Sequence, residues 1–375
     1  MDETRYARHA LIDWFDQDRL RAARVAVIGA GAVGNEVVKN LALLGVGAIE
    51  VFDFDQIELH NLTRSVFFRE SDVGGAKAVV LAERAKQLNP DTDVRGIEGD
   101  FWSTLSLHAL RTFSTVICAV DNFEARVRLN QMCRIVGVDL VNAGIDSRFA
   151  AIEAFPFKTF AEGACYECHL PASAYQRIGE RYSCGGLRKR AWEAKKVPTT
   201  AITASIAGAL AASKALRLGT PDAILGAGRI LIDTHTGRSS TSMLDRNDGC
   251  PGCAMPWGGA RLLRSRRDLT PSLALDSGEP IMDISIHLSE PVITAYECVH
   301  CGVPDHASRL LMRPAAIYDD EITFCTRCRR HTMRVEMRDI ISIGALTTAY
   351  RAHSLGAKYV LAELAHGPVC IELED

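Results

Sequence analysis

The segment RVAVIGAGAVGNEVVKNLALLGVGAIEVFDFD, residues 24–55, constrains the fold more than any other stretch. Val25–Ile28 is an apolar, β-type run. Gly29-Ala-Gly31-Ala-Val-Gly34 follows at once, then a helix with apolar spacing through Leu44, then a second strand over Ala48–Phe52 that ends at Asp53. Strand, glycine turn, helix, strand and carboxylate in that order make a βαβ unit. The glycines let the backbone turn tightly and approach a phosphate at the helix N-terminus. Asp53 stands 19 residues past Gly34, where a carboxylate can hold ribose hydroxyls. The unit predicts a Rossmann-like α/β domain that binds a nucleotide. It does not choose which one.

The following residues narrow the choice. DFDQIELHNLTRSVFFRESDVGGAKAVVLAERAKQLNP shows no nicotinamide pocket and offers Asn61, Arg64 and Lys77, all suited to phosphate chemistry. Gly74-Gly75 reads as a loop entering a helix, with Lys77 in the first turn. A lysine there can reach a triphosphate; the alternative is an ordinary solvated helical lysine. STVICAVDNFEARVRLN reads as a strand over Ser114–Ala119, then Asp121-Asn122, then a helix. Ligands of open α/β sheets bind at the C-terminal ends of strands. Asp121 is therefore placed to hold Mg²⁺ beside a triphosphate. Its other reading is a helix N-cap.

Composition removes several classes. A length of 375 residues suits two or three domains, and a net charge of −3 gives no basic field for nucleic acid. The first twenty residues are charged and hold no apolar core of a signal peptide. Ala201–Ser213 is apolar but too short to span a bilayer, and Lys214 stops it, so it reads as a buried helix. A cytoplasmic location without a membrane partner is expected. Twelve cysteines in that compartment point away from structural disulfides and toward metal.

Four CxxC pairs carry most of them: Cys165/Cys168, Cys250/Cys253, Cys298/Cys301 and Cys325/Cys328. A structural zinc ion takes four thiolates in a tetrahedron, and each CxxC turn supplies two. The last two pairs are 23 residues apart, close to zinc-ribbon spacing, and predict one site. The first two are 81 residues apart and pair as a second site only if the fold joins them. The string CYECH around Cys165 also admits haem attachment or a redox dithiol. The absence of an export signal weakens the first, and the company of three more pairs weakens the second. Cys118 and Cys133 read as packing, in a core strand and helix; Cys370 stays unassigned.

RYARH, VIGAGAVG, FDFDQIELHNLTRS, GGAKA, AVDNFEARVRLN, GACYECHL, SCGG with VPTTAITASIAGALAASKAL, and CPGC occur in order between about Arg5 and Cys253, two-thirds of the chain. Together they resemble the ThiF/MoeB family, which includes the ubiquitin-activating enzymes. The resemblance implies a homodimer that uses MgATP to adenylate the C-terminal glycine of a small β-grasp protein, either ubiquitin-like or a sulfur carrier. It implies that Gly29, Gly31 and Gly34 cradle phosphate, Asp53 binds ribose, Asn61, Arg64 and Lys77 contact the triphosphate, and Asp121 holds Mg²⁺. Arg8 would reach into the partner subunit's ATP site. Cys165, Cys168, Cys250 and Cys253 match the family's zinc ligands. His9 departs from the pattern, standing where many relatives carry glutamine.

RYSCGGLRKRAWEAKKVP holds Cys184 beside Gly185-Gly186 and a basic run, an environment that raises the thiolate fraction. In the family a cysteine in this region takes the activated protein as a thioester or forms an acyl-disulfide; the other reading is an incidental loop cysteine. Residues 1–253 are thus expected as the adenylation domain and 254–280, rich in Gly, Pro, Ser and Arg, as a linker. Residues 281–375 form a small zinc-ribbon α+β module, expected to dock the carrier or a conjugating enzyme. That appendage with Cys184 favours a bacterial ubiquitin-like conjugation system, of the kind found in antiviral operons. The competing readings are sulfur-carrier adenylation for thiamine or molybdopterin synthesis, an NAD(P) oxidoreductase, and a non-enzymatic zinc scaffold.

Overall fold

The computed structural model describes residues 5–175, 198–218, 220, 226–254, 260–266, 284–302, 310–314, 324–325, 327–342, 356–364 and 366–374. The chain divides into two compact units, Met1–Leu170 with Val197–Gly258, and Pro171–Lys196 with Gly259–Asp375.

The first unit is built on eight strands: β1 (Arg24–Ile28), β2 (Ala48–Asp53), β3 (Asp93–Glu98), β4 (Thr115–Cys118), β5 (Asp139–Ile145), β6 (Phe149–Phe155), β7 (Gly228–Asp233) and β8 (Ser239–Met243). They lie in the order β3-β2-β1-β4-β5-β6-β7-β8. The first five are parallel, and β6, β7 and β8 add on antiparallel. The helices are α1 (Gln17–Ala22), α2 (Ala32–Leu44), α3 (Lys77–Leu88), α4 (Phe101–Thr104), α5 (Leu107–Leu110), α6 (Phe123–Val136) and α7 (Ala201–Arg217).

Crossovers from β1 through α2 to β2 and from β3 back to β4 run in opposite directions across the sheet, so the strand order reverses between β1 and β4. That switch point is where open α/β sheets bind ligands. The apolar run at Ala201–Ser213 is a helix buried on one face, with Ile202 exposed: α7 packs with α2 over one sheet face, and Ala207, Ala211 and Ala212 join Val37, Leu41, Val141 and Ile152 in one core. Thr200 caps α7 by accepting the Thr203 N–H at 3.2 Å. Helix α6 lies against β4 and β5 and against the short 3₁₀ turn Tyr166–His169 that carries the first CxxC.

The second unit holds a five-stranded sheet in the order β13-β10-β14-β15-β9. Its strands are β9 (Arg261–Arg266), β10 (Ser285–Cys298), β13 (Met333–Ser342), β14 (Tyr359–Leu364) and β15 (Gly367–Glu374); a separate ribbon pairs β11 (Phe324–Cys325) with β12 (Arg330–His331). Ile286, Val292, Val360, Val369 and Ile371 fill its core. Strand β9 corrects the reading of 254–280 as a linker: it pairs in parallel with Val369–Glu374 of β15. Turn-forming neighbours hid it, and its hydrogen-bond partner lies about a hundred residues on. SIGALTTAYRAHSL, residues 342–355, reads as a helix from its sequence and falls almost wholly outside the described residues.

Candidate functional site

At the switch point the glycine turn is shaped by contacts that leave no room for side chains. Gly29 has φ +102°, and a Cβ there would meet Ala119 O at 2.8 Å, where β4 ends beside β1. A Cβ on Gly34 would fall 1.9 Å from Gly29 O. Gly31 differs: a Cβ on it meets nothing within 4 Å, so it faces open space at the N-terminus of α2. The turn is thus tight behind and open in front, which suits an anion on the helix N-terminus.

Asp53, at the end of β2, closes one side. Its Oδ2 accepts the Ala30 N–H at 2.6 Å and its Oδ1 accepts the Asp55 N–H at 2.7 Å. Burial raises its pKa above the usual carboxylate value, opposed by those two N–H bonds and by the charge of Lys77. Lys77 opens α3 as expected, and its Nζ lies 2.7 Å from Asp55 Oδ2. Asp55 was not singled out from sequence, yet it holds both the Lys77 head group and, through its carbonyl at 3.0 Å, the Lys77 N–H.

Asn35 is the other residue that sequence reasoning missed. Fully buried, it donates to Ala30 O at 2.8 Å and Gly31 O at 3.0 Å, and accepts the Phe67 N–H at 3.1 Å. It therefore fastens the glycine turn to the segment that carries Arg64. Its only sequence signal is a buried-side asparagine one residue past Gly34. Asn61 is buried and its Oδ1 accepts the Glu58 N–H at 2.9 Å, bracing its own turn. Arg64 is half-buried, and its guanidinium donates to His60 O at 2.8 Å.

Asp121 stands past the end of β4, exposed, with no side-chain hydrogen bond or ion pair to a described residue. The helix cap is its neighbour: Asn122 Oδ1 accepts the Ala125 N–H at 2.8 Å. The two readings of Asp121 are thus separated, because capping falls to Asn122 and the carboxylate stays open toward solvent. An open turn, two carboxylates and a lysine at one strand edge fit a nucleotide triphosphate with a hard divalent cation.

Arg8 lies elsewhere. Tyr6, two residues before it, accepts from Asn89 Nδ2 at 2.7 Å and packs on Gly45, so it sits at the C-terminal ends of α3 and α2. Thirteen residues of α2, roughly 20 Å, separate that end from the glycine turn. Arg8 is exposed there, away from its own chain's crevice. Cys184 lies outside the described residues.

The fold joins the distant cysteine pairs. Cys165 Sγ lies 3.8 Å from Cys250 Sγ and 3.5 Å from Cys253 Sγ, and Cys168 Sγ lies 3.5 Å from Cys253 Sγ. Zinc–sulfur bonds of about 2.3 Å at tetrahedral angles require sulfurs about 3.8 Å apart. The four thiols fit a zinc ion. Around them, Asn130 and Gln131 of α6 donate to Glu167 at 3.4 and 3.2 Å, and Arg134 donates to Gly252 O. Asn130 also accepts the Tyr166 N–H at 3.0 Å. The knuckle is thereby riveted to α6, whose opposite end follows Asp121.

In the second unit Cys298 ends β10, and the β11–β12 ribbon carries Cys325 with Cys328 in its turn. Sulfurs of Cys298 and Cys328, and of Cys301 and Cys325, are each 3.7 Å apart, so this tetrad fits zinc as well. The Thr332 hydroxyl, 3.1 Å from Cys298 Sγ, draws that thiol down to about 5. Cys118, Cys133 and Cys370 are buried, and burial pushes each thiol up, which suits packing. Among the described residues no helix is long and apolar enough to cross a membrane.

A model of the ThiF family matches residues 5–251. The SAMP-activating enzyme E1 of Haloferax volcanii is 35% identical over 170 residues, 44% of this chain and 62% of that protein. This chain therefore spans less than two-thirds of that relative's length. The sulfur carrier protein adenylyltransferase of Thermus thermophilus is 30% identical over 245 residues, 63% of this chain and 84% of that one. Among solved structures, E. coli MccB superposes with TM-score 0.56 and 27% identity over 68% of this chain and 74% of its own, and another crystal structure of MccB contains ATP.

Proposed function

This chain belongs to the ThiF family, and on that basis we propose that it activates the C-terminal glycine of a ubiquitin-like or sulfur-carrier protein by adenylation. The observation that carries the reading is the open glycine turn at Gly31 with Asp53 and Lys77 beside it and Asp121 uncapped at the neighbouring strand end. A carboxylate oxygen of the carrier attacks the α-phosphorus of ATP, the bond to the leaving pyrophosphate breaks, and an acyl-adenylate remains. No general base is needed, since the glycine carboxylate is already ionised. Gly29–Gly34 and Lys77 hold the phosphates, joined by Asn61 and Arg64, and Asp53 holds the ribose. Asp121 would hold Mg²⁺, which when bound would neutralise charge on the triphosphate and the leaving pyrophosphate. Positioning and electrostatics supply the rate. The two cysteine tetrads would hold zinc in a structural role.

The placement of Arg8 a helix length from its own crevice favours a homodimer in which it serves the partner subunit's nucleotide. The finer reading is conjugation in the cytoplasm, with Cys184 taking the activated protein as a thioester and passing it to a separate conjugating enzyme, in a bacterial system of the antiviral type. On this reading the second unit docks the carrier or that enzyme. Sulfur delivery is the competing outcome of the same adenylation, and the relative from Thermus thermophilus favours it.

The test is ATP–pyrophosphate exchange with each candidate glycine-tailed protein, using wild type, Asp121→Ala and Cys184→Ala, with products run on a non-reducing gel. Exchange lost in Asp121→Ala but kept in Cys184→Ala supports adenylation. A thiol-labile adduct lost only in Cys184→Ala supports covalent transfer. No exchange with any candidate overturns the activation reading.

A further inference from the structure

The geometry points to Arg126 as the positioning residue that fixes the Asp121 carboxylate against the adjoining substrate groove; this inference rests on the adenylation reading above. Arg126 stands in the first turn of α6, half-buried. Its Nη2 donates to Val120 O and, at 2.8 Å, to Ala143 O. Val120 immediately precedes Asp121. Ala143 immediately precedes Gly144, which with Ile145, Asp146, Phe149, Ala151 and Leu231 lines a groove of about 330 Å³.

The β4–β5 ladder explains why such a tie matters. Its last rung joins Cys118 to Asn142. Val120 lies beyond the end of β4 and Ala143 lies in β5 one residue past that rung, so the β4–β5 ladder does not join these two segments. A single guanidinium bridges them instead. It also borders the groove, because a Cβ on Gly144 would lie 3.7 Å from Arg126 Nη2. One side chain thus connects the backbone that aims the metal-holding carboxylate with the backbone that floors the groove for an extended peptide tail. A lysine is shorter and lacks the planar fork, so it is not an equivalent substitute.

The test measures cation binding without turnover. Mn²⁺ binding in the presence of an α,β-methylene ATP analogue is followed by electron paramagnetic resonance for wild type, Asp121→Ala, Arg126→Lys and Arg126→Ala. Partners that orient a ligand residue typically change metal affinity by about 10- to 100-fold. Arg126→Ala should weaken Mn²⁺ at least about tenfold while analogue affinity stays within about threefold. Added guanidinium, below denaturing concentration, should restore binding, and Arg126→Lys should fall between. Wild-type Mn²⁺ affinity in Arg126→Ala overturns the inference. So does a loss that guanidinium leaves unchanged and that follows a fall in melting temperature. If wild type itself binds no Mn²⁺ with the analogue, the adenylation reading fails, and this inference with it.

Discussion

Asp53 Oδ2 accepts the Ala30 N–H at 2.6 Å, so the end of β2 is bonded directly into the glycine turn at the end of β1. The residue proposed to hold the ribose and the turn proposed to hold the phosphates therefore move as one body. Because burial raises its pKa, Asp53 takes up a proton at a higher pH than an ordinary aspartate. Nucleotide affinity should fall on acidification from a pH above 3.8, earlier than for an unperturbed carboxylate. Calorimetric titration of ATP across pH checks this, and Asp53→Asn should bind weakly at all pH values with a flat profile. The stability sign is opposite: the folded chain holds this proton more tightly than the unfolded chain, so this group alone favours folding as pH falls through that window.

The last two glycines of the turn should fail in different ways. Gly34→Ala places a methyl 1.9 Å from a backbone oxygen and should lower the melting temperature sharply. Gly31→Ala meets no protein atom within 4 Å and should fold normally, yet lose nucleotide affinity because the methyl occupies the phosphate side. Thermal melting beside nucleotide titration separates them. Equal loss of stability in both would refute this division of roles.

Lys77 pairs with the half-exposed Asp55 at 2.7 Å. Lys77 is largely buried, but the Asp55 carboxylate is half in water, so the pair is worth about 1 kcal/mol at most and Lys77→Ala should lower the melting point only slightly. Its effect belongs to the transferring phosphates, where loss of one preorganised charge typically costs about 10²–10³ in rate. Pyrophosphate exchange in Lys77→Ala should fall by that order with stability intact.

Each chain should carry two zinc ions, measurable by atomic absorption. Cys253→Ser and Cys325→Ser should each lose one. The first should also impair nucleotide binding, because Asn130, Gln131 and Arg134 tie its knuckle to α6 and so to the Asp121 loop. Cys325 lies in the other compact unit, and Cys325→Ser should leave ATP binding unchanged. ATP binding that suffers equally in both variants would contradict this separation.

Much of the site could be read directly from the sequence because its constraints are local. The βαβ segment, the lysine opening α3 and the small-residue helix α7 all follow from periodicity and turn chemistry within about thirty residues. Strand β9 escaped because its apolar content is low and its partner, β15, comes at the end of the chain. Asn35, Asp55 and Arg126 escaped for a related reason. Each acts on groups brought close only by folding: Asn35 on the Phe67 N–H, Asp55 on the Lys77 head group, Arg126 on the Ala143 carbonyl.

By itself the sequence determined the local chemistry: a glycine turn before a helix, a carboxylate after a second strand, and thiols in CxxC turns. These need only short-range spacing, because backbone dihedrals and helix or strand periods fix where neighbouring side chains point. Only the tertiary structure decided that Cys165 and Cys250 come together across 85 positions, that Asn122 rather than Asp121 caps α6, and that Arg126 bridges the segment after β4 to β5 beyond their last shared rung. Those outcomes depend on how the parallel sheet orders its strands, and residues distant in the chain meet only where burial of the core brings the strand ends side by side.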